Sequence, residues 1–279
     1  MTDAPSTAGG TLYVVATPIG NLGDITLRAL EVLRAVPLVA AEDTRLTRRL
    51  WSRYAIETRL VPYHARSADR RRDELLTHLA GGADLALVTD AGTPLVSDPG
   101  ADLVAAWVAR GGLVVPIPGA SAVLAALVAA GLPSARFAFE GFLPRRGSER
   151  RLRLERISAD DRATVVFEAP GRTAATLADL ATVCGASRSA AVARELTKLH
   201  EEIWRGTLAE LSRRASDEPP RGEVTIVVGG ADADQGPTMG VEAARFEVDR
   251  LVGEGMSRSS AAREVAHRTG LPRRDLFRS

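Results

Sequence analysis

Asp90, Thr93, Ser97 and Asp98 fall within the stretch 87–100, LVTDAGTPLVSDPG, together with two glycines and two prolines. Carboxylates and hydroxyls at that density are a means of holding a small polar ligand. Gly92 and Gly100 permit φ values and close backbone approach that a Cβ would forbid, while Pro94 and Pro99 stiffen the path between them. The same residues would also serve an ordinary strand-to-helix turn with a capping side chain. A second group, Glu42, Asp43, Thr44 and Arg45, sets two carboxylates beside an arginine that can hold them ionised, which suits an active site or a helix cap equally. A third, RELTKLHEEIWRG, carries Glu195, Lys198, Glu201 and Glu202. Lys198 is the sole lysine among 36 basic residues. Either it escaped a coding bias toward arginine, or it does what a guanidinium cannot, such as titrating or donating from a compact ammonium. Finally, Arg145, Arg146, Arg150, Arg151 and Arg153 crowd a short stretch opposed only by Glu149, a pattern of solvated helix faces and of phosphate-contacting patches.

The elements that must position these groups follow from the hydrophobic pattern. Residues 12–16 are a short apolar strand leading into TPIGNLGDIT, a turn-rich loop, and Thr26 is placed to cap a helix over 27–36 with Asp24 near its amino end. Residues 38–41 are a second strand ending at Glu42, 60–63 a third, and 85–88 an apolar run buried on both faces. A helix over 102–110 stops at Gly111-Gly112, and a strand follows over 113–117. The helix entering at Ser121 turns its free amides back toward the loop PGASA, a ready site for an acceptor group. Strand, loop and helix repeating in this way predict a parallel α/β domain over residues 11–120, with ligands bound at the carboxyl edge of the sheet.

A second domain, assigned to residues 121–232 with a break at Gly131-Leu132-Pro133, draws strands from 137–142, 164–168, 190–193 and 223–228. Beyond a polar linker at 231–240, helices over 241–252 and 257–268 form a basic module, 241–279, that resembles a helix-turn-helix unit with Ser257 as N-cap and Pro272 opening the next helix. Its Arg273 and Arg274 suit contact with RNA, although small helical pairs also serve as docking elements.

A length of 279 residues suits two medium domains. The formal net charge of +1 leaves nucleic-acid binding undecided. A single cysteine, Cys184, excludes an internal disulfide, and with only four histidines no metal site is expected. A reducing, cytoplasmic compartment is the expectation. Residues 1–10 lack the basic and apolar regions of a signal peptide and are expected as a flexible tail. The apolar run 120–132 is too short to span a bilayer, so no membrane partner is expected. The first loop is not a GxGxxG fingerprint, which disfavours a dinucleotide-dependent dehydrogenase.

In chain order, TPIGNLGDIT, AEDTR, VTDAGTPLVSDPG, PIPGASA, FEGFLPRR, FEAPGRT, RELTKLHEE and GEVTIVVGG resemble the tetrapyrrole-methylase superfamily. TPIGNLGDIT, AEDTR, the GFLPRR loop and the basic tail are similar to its ribosomal-RNA-modifying branch. The resemblance runs from Leu12 to Phe277 and implies two α/β domains, a parallel sheet then a mixed sheet, plus the small helical module. It implies S-adenosylmethionine bound in the cleft between the domains, and a homodimer. Carried over by motif, cofactor contacts come from Pro18, Gly20, Asp90, Gly92, Thr93, Ser121 and Ala122, joined by Phe167 and Ala193 near strand ends of the second domain. A sulfonium zwitterion with ribose hydroxyls and an adenine calls for carboxylates, backbone amides and close glycine approach, and these loops offer all three.

The RNA-modifying branch implies methyl transfer to the ribose 2′-oxygen of a cytidine in small-subunit ribosomal RNA, naked or within the subunit. Such a hydroxyl is a poor nucleophile and benefits from a base. Lys198, Glu195, Glu42 and Asp43 are the candidates, and Arg45, Arg145, Arg146, Arg150, Arg194, Arg273 and Arg274 are the candidate RNA contacts. Lys198 acts as a base only if burial or a cationic neighbour deprotonates it; otherwise it and Glu195 form a structural ion pair. Arg146 departs from the lysine of the family motif. Two other readings stay open, a tetrapyrrole carbon methyltransferase using the same cleft and a non-catalytic RNA-binding module. The basic tail and GFLPRR loop weigh against the first, and the two polar glycine loops against the second.

Overall fold

The computed structural model describes residues 9–64, 68–231, 241–269, 271 and 273–276. Most of the expected tail and linker, Pro272 and residues 277–279 lie outside the described residues. The first sheet is parallel throughout, in the order β3 (Arg59–Pro62), β2 (Leu38–Ala41), β4 (Leu85–Val88), β1 (Leu12–Val15), β5 (Val114–Ile117). Its central strands alternate between two cores rather than between core and water. Val15, Val39, Ala41, Ala86 and Val88 pack under α1 (Leu27–Ala35) and α2 (Thr44–Tyr54), while Leu12, Ala40, Leu85 and Leu87 pack under α3 (Ala68–Ala80) and α4 (Ala101–Ala109). Burial on both faces is why these strands read as short continuous apolar runs. Thr26 caps α1 as expected, its hydroxyl accepting from the Ala29 amide at 3.1 Å.

The second sheet is mixed, in the order β6 (Phe137–Phe142), β7 (Ala163–Glu168), β10 (Val224–Val228), β8 (Ser189–Arg194), β9 (Glu202–Thr207). Only β6 and β7 run parallel. One face carries Val166, Ala190, Val192, Ile226 and Val228 against α6 (Ser148–Ala159), α7 (Thr173–Cys184) and α8 (Leu208–Asp217). The other face carries Val165, Ala191, Ala193 and Val227 and is covered by Val123, Ala126, Leu127 and Ala130 of α5 (Ala122–Ala130). Helix α5 therefore follows the first sheet in sequence but packs on the second. Ile19, Ala91, Val96 and Ala120 from loops of the first domain join that same core, which fixes the two sheets about a shared cleft.

Helices α9 (Val241–Gly253) and α10 (Arg258–Thr269) close a separate small core of Ala244, Val248, Leu251, Ala261, Ala262, Val265 and Leu276. No helix among the described residues is long and apolar enough to cross a membrane.

Candidate active site

Strands β1 and β4 are neighbours, so the loops leaving their carboxyl ends meet. Thr17 and Gly92 exchange backbone hydrogen bonds of 2.8 and 3.1 Å, and the Thr17 hydroxyl donates to the Thr89 carbonyl at 3.0 Å. Beyond this clasp the chain turns through Gly92 (φ +85°), Leu95 (φ +74°), Ser97 (φ +73°) and Gly100 (φ +122°) before α4. Leu95 and Ser97 lie in the left-handed region without being glycine, which costs on the order of 1 kcal/mol each and is tolerated where the surroundings overdetermine the loop. At Gly100 a Cβ would stand 2.6 Å from the Leu87 side chain, so the turn accepts only glycine there.

This loop forms one wall of a cavity of about 400 Å³ between the sheets, a size suited to a small-molecule ligand. Glu42, Asp90, Gly92, Thr93, Ser97 and Asp98 line it from the first domain, and Ser121, Ala122 and Val123 present the amino end of α5. Ser121 is the N-cap of that helix, so the wall offers backbone amides and the positive end of a helix dipole. Phe142, Phe167, residues 168–170 and residues 222–225 close the cavity from the second domain.

Three carboxylates, Glu42, Asp90 and Asp98, line the cavity from the first domain. The buried Thr89 hydroxyl donates to Glu42 at 2.7 Å, and the Asp43 amide donates to Asp90 at 2.9 Å. Burial pushes the Asp98 carboxyl up to about 6; a hydrogen bond with Thr89 opposes the shift, and the charges of Glu42 and Asp90 add to it. Asp90 is raised for the same first reason, burial, against the pull of the Asp43 amide. Asp98 is therefore poised to exchange a proton near neutral pH.

Other expected site residues are placed elsewhere. Asp43 is the N-cap of α2, accepting from the Arg45 amide at 2.8 Å and paired with its guanidinium at 2.7 Å, and these contacts hold it at about 2. Its carboxylate serves the cap, and Arg45 stays largely in solvent. Pro18 and Ala193 are buried and do not line the cavity. Gly20 instead packs on the second domain, where a Cβ would stand 2.4 Å from the Lys198 stem.

Lys198 lies in the ion-pair arrangement that the sequence left as the alternative to a base. Its ammonium lies 2.9 Å from Glu195 and 3.2 Å from Glu223. Burial opposes the charge, but the hydrogen bonds to both carboxylates outweigh it and raise the pKa, so the group stays protonated. Glu195 is lowered by Lys198 first and by the Glu223 amide second. The pair thus forms a knot behind the cavity segment 222–225, and the Asn21 amide ties the first loop to it through Thr197 at 3.0 Å.

Arg150 is engaged within the fold. It is buried, with its guanidinium on Asp179 at 2.7 Å, Thr176 at 3.1 Å and the Pro144 carbonyl at 2.9 Å, so most of its donors are taken there. Arg194 pairs with Glu202 at 2.8 Å. Arg145 and Arg146 are exposed. Arg273 donates to Ser259, and Arg274 lies 3.7 Å from Asp275.

Sequence reasoning left out Phe142, Glu168, Thr89 and residues 222–225. Gly141 inside β6 was the one available signal, because a glycine within a strand often marks a bulge or a close approach. Among the described residues no group of three or more His, Cys, Asp or Glu is arranged to hold a metal ion.

A parallel sheet with glycine-bearing loops at its carboxyl edge, closed over by a mixed sheet, defines a two-domain α/β protein with a small-molecule cleft. The chain belongs to the tetrapyrrole methylase family, whose model, Tetrapyrrole (Corrin/Porphyrin) Methylases, matches residues 11–212. It is 47% identical over 268 residues to the Ribosomal RNA small subunit methyltransferase I of Synechocystis sp., covering 96% of each chain. To the protein of the same name from Pseudomonas aeruginosa it is 46% identical, covering 97% of this chain and 96% of that one. In fold it is similar to the uroporphyrin-III C-methyltransferase of Thermus thermophilus complexed with S-adenyl homocysteine, with a TM-score of 0.58, 19% identity, and 79% of this chain and 97% of that one covered. A conserved hypothetical protein from Aeropyrum pernix K1 is similar with a TM-score of 0.64 and 21% identity, over 95% of this chain and 91% of that one.

Proposed function

We propose that this chain transfers a methyl group from S-adenosylmethionine to the ribose 2′-oxygen of a cytidine in small-subunit ribosomal RNA. The observation that carries the reading is the extent of the match. The family model stops at residue 212, whereas the relatives named as ribosomal RNA methyltransferases align over 96% of this chain and therefore include most of the basic helical module. A tetrapyrrole enzyme has no need of that module. The Thermus thermophilus enzyme leaves about a fifth of this chain unmatched, its alignment covering 79%.

The cavity fits such a cofactor in size and in chemistry. Asp90, Gly92 and Thr93, the amides at Ser121 and Ala122, and the aromatic edge of Phe167 would hold it. When bound it supplies an electrophilic methyl on a sulfonium, so the protein's main task is alignment of the acceptor oxygen. The Glu42, Thr89 and Asp98 cluster takes the 2′-hydroxyl proton, with Asp98 as the acceptor and Thr89 linking it to Glu42. Arg45, Arg145, Arg146 and Arg274 contribute phosphate contacts, Arg273 orders the tail through Ser259, and the 195–198 knot positions residues 222–225.

The acting unit is a homodimer in the cytoplasm. Exposed apolar side chains on α5, Leu124 and Val128, give one face that a second copy would cover, while Val123 and Leu127 on its other side are core. Sedimentation equilibrium tests this point.

The reading is tested by incubating the protein with methyl-labelled S-adenosylmethionine and unmodified small ribosomal subunits, with a uroporphyrinogen-type tetrapyrrole in parallel. Label enters the RNA if the reading holds. Label in the tetrapyrrole alone overturns it.

A further inference from the structure

Among the described residues, Phe142 is the exposed large apolar side chain that also lines the cavity, with 55% of its surface open. Its position depends on a bulge. In an unbroken strand, residues three apart point to opposite faces, so Phe139 and Phe142 would be separated by the sheet. In β6 the register steps from Phe139 opposite Val165 to Gly141 opposite Val166, leaving Glu140 as an extra residue. Phe142 then falls opposite Phe167, on the same face as Phe139. Both rings meet Phe167, at centroid distances of 4.9 and 5.6 Å. Gly141 sustains the bulge at φ +61°, and Arg153 donates to the Glu140 carbonyl at 3.1 Å. A bulge of this kind re-aims a side chain next to a site.

The chain after Phe142 is fixed as firmly. Arg172 donates to the Leu143 carbonyl at 3.1 Å and Arg150 to that of Pro144 at 2.9 Å. Arg145 and Arg146 follow directly, exposed and, among the described residues, without an ion pair or hydrogen bond. Arg150 and Arg153 of the same cluster are spent on holding the turn and the bulge. The structure thus sets an open aromatic ring at the mouth of the cavity and two uncommitted guanidiniums just beyond it. Single-stranded nucleic acid is recognised by that combination, bases on aromatic faces and phosphates on basic side chains. A nucleotide that must bring its ribose into a cleft has to leave its stack, and a protein ring replaces what it loses.

We propose that Phe142 is a stacking platform for an unpaired base of the RNA substrate at the cavity mouth, with Arg145 and Arg146 on the flanking phosphates. The proposal rests on the reading of the chain as a ribosomal RNA methyltransferase. Its test uses the full chain and the variants Phe142→Ala, Phe142→Leu and Phe142→Trp, with methyl transfer measured against small-subunit concentration and cofactor affinity measured by calorimetry without RNA. Stacking predicts a rise in KM for RNA of about tenfold or more for Ala and for Leu, recovery with Trp, and a cofactor Kd within about twofold throughout. The Trp variant should also lose fluorescence on adding an unpaired RNA oligonucleotide and keep it on adding a duplex. An unchanged KM for RNA in the Ala variant, a Leu variant as good as wild type, or a loss confined to cofactor affinity, which would place the cofactor's adenine on the ring, each overturns the platform and leaves the RNA reading standing. Failure of the wild-type protein to methylate RNA overturns both.

Discussion

Asp98 carries the clearest consequence at the scale of single residues. A carboxyl pushed up to about 6 by burial is half ionised near that pH, so turnover should rise as pH passes through about 6 and level above it. Asp98→Asn should abolish that limb and lower kcat at pH 8 by about a hundredfold, within the range general bases contribute. The stability effect has the opposite sign. A carboxyl whose folded pKa lies above its unfolded value destabilises the fold once ionised, so stability falls as pH rises from near 4 toward 6 and stays lower above that. The Asn variant should therefore gain on the order of 1 kcal/mol at pH 8, after screening of a partly solvated group is allowed for, and show it as a higher Tm. Lys198→Ala should behave differently. It removes the cation that gathers Glu195 and Glu223, so cofactor Kd should rise several-fold while the pH profile of single-turnover transfer keeps its shape. A lost or shifted basic limb in that profile would restore Lys198 as a titrating catalyst.

At the scale of elements, the arginines around α6 separate by experiment as they do in the structure. Arg150→Ala leaves Asp179, Thr176 and the Pro144 carbonyl without their shared donor and should cost about 2–4 kcal/mol in a denaturation curve. Arg145→Ala with Arg146→Ala should leave the melt unchanged and reduce the slope of log affinity for single-stranded RNA against log salt by about 1.4. Five arginines in one sequence cluster looked alike because charge is visible in a sequence and a distant partner is not. Arg150 meets Asp179 across 29 residues, and nothing local announces the pairing. The strands over 38–41 and 85–88 were legible to the residue, since each is an apolar run closed by turn or polar residues, and 137–142 was legible from its three phenylalanines ahead of Leu143-Pro144. β9 was not, because EEIWRGT opens in a charged run and its burial rests on Trp204. The bulge at Glu140 was also hidden. Gly141 hints at it, but its position shows in the pairing register, and with it the cavity face of Phe142.

At the scale of the whole molecule, α5 and loops of the first domain share one core with the second sheet, while the helical module closes its own. The fold class and the family were open to the sequence because the loops that define them are contiguous motifs. The cavity wall was not, since residues 222–225 reach it only through the packing of β10 against β7 and β8. A chain ending at residue 231 keeps both sheets, α5 and every cavity residue, so it should bind cofactor with unchanged Kd in calorimetry. Its KM for small subunits should rise tenfold or more (~1.4 kcal/mol), through loss of the basic module. Equal KM values would reduce the module to a structural appendage.

The most direct measurement is the identity of the methylated nucleoside. Small-subunit RNA labelled by the full chain is digested to nucleosides and separated against standards. Label in 2′-O-methylcytidine is the result expected of an oxygen acceptor aligned beside the Glu42, Thr89 and Asp98 cluster. Label in a base-methylated nucleoside would contradict the assignment of that cluster, and of the ribose oxygen as its substrate.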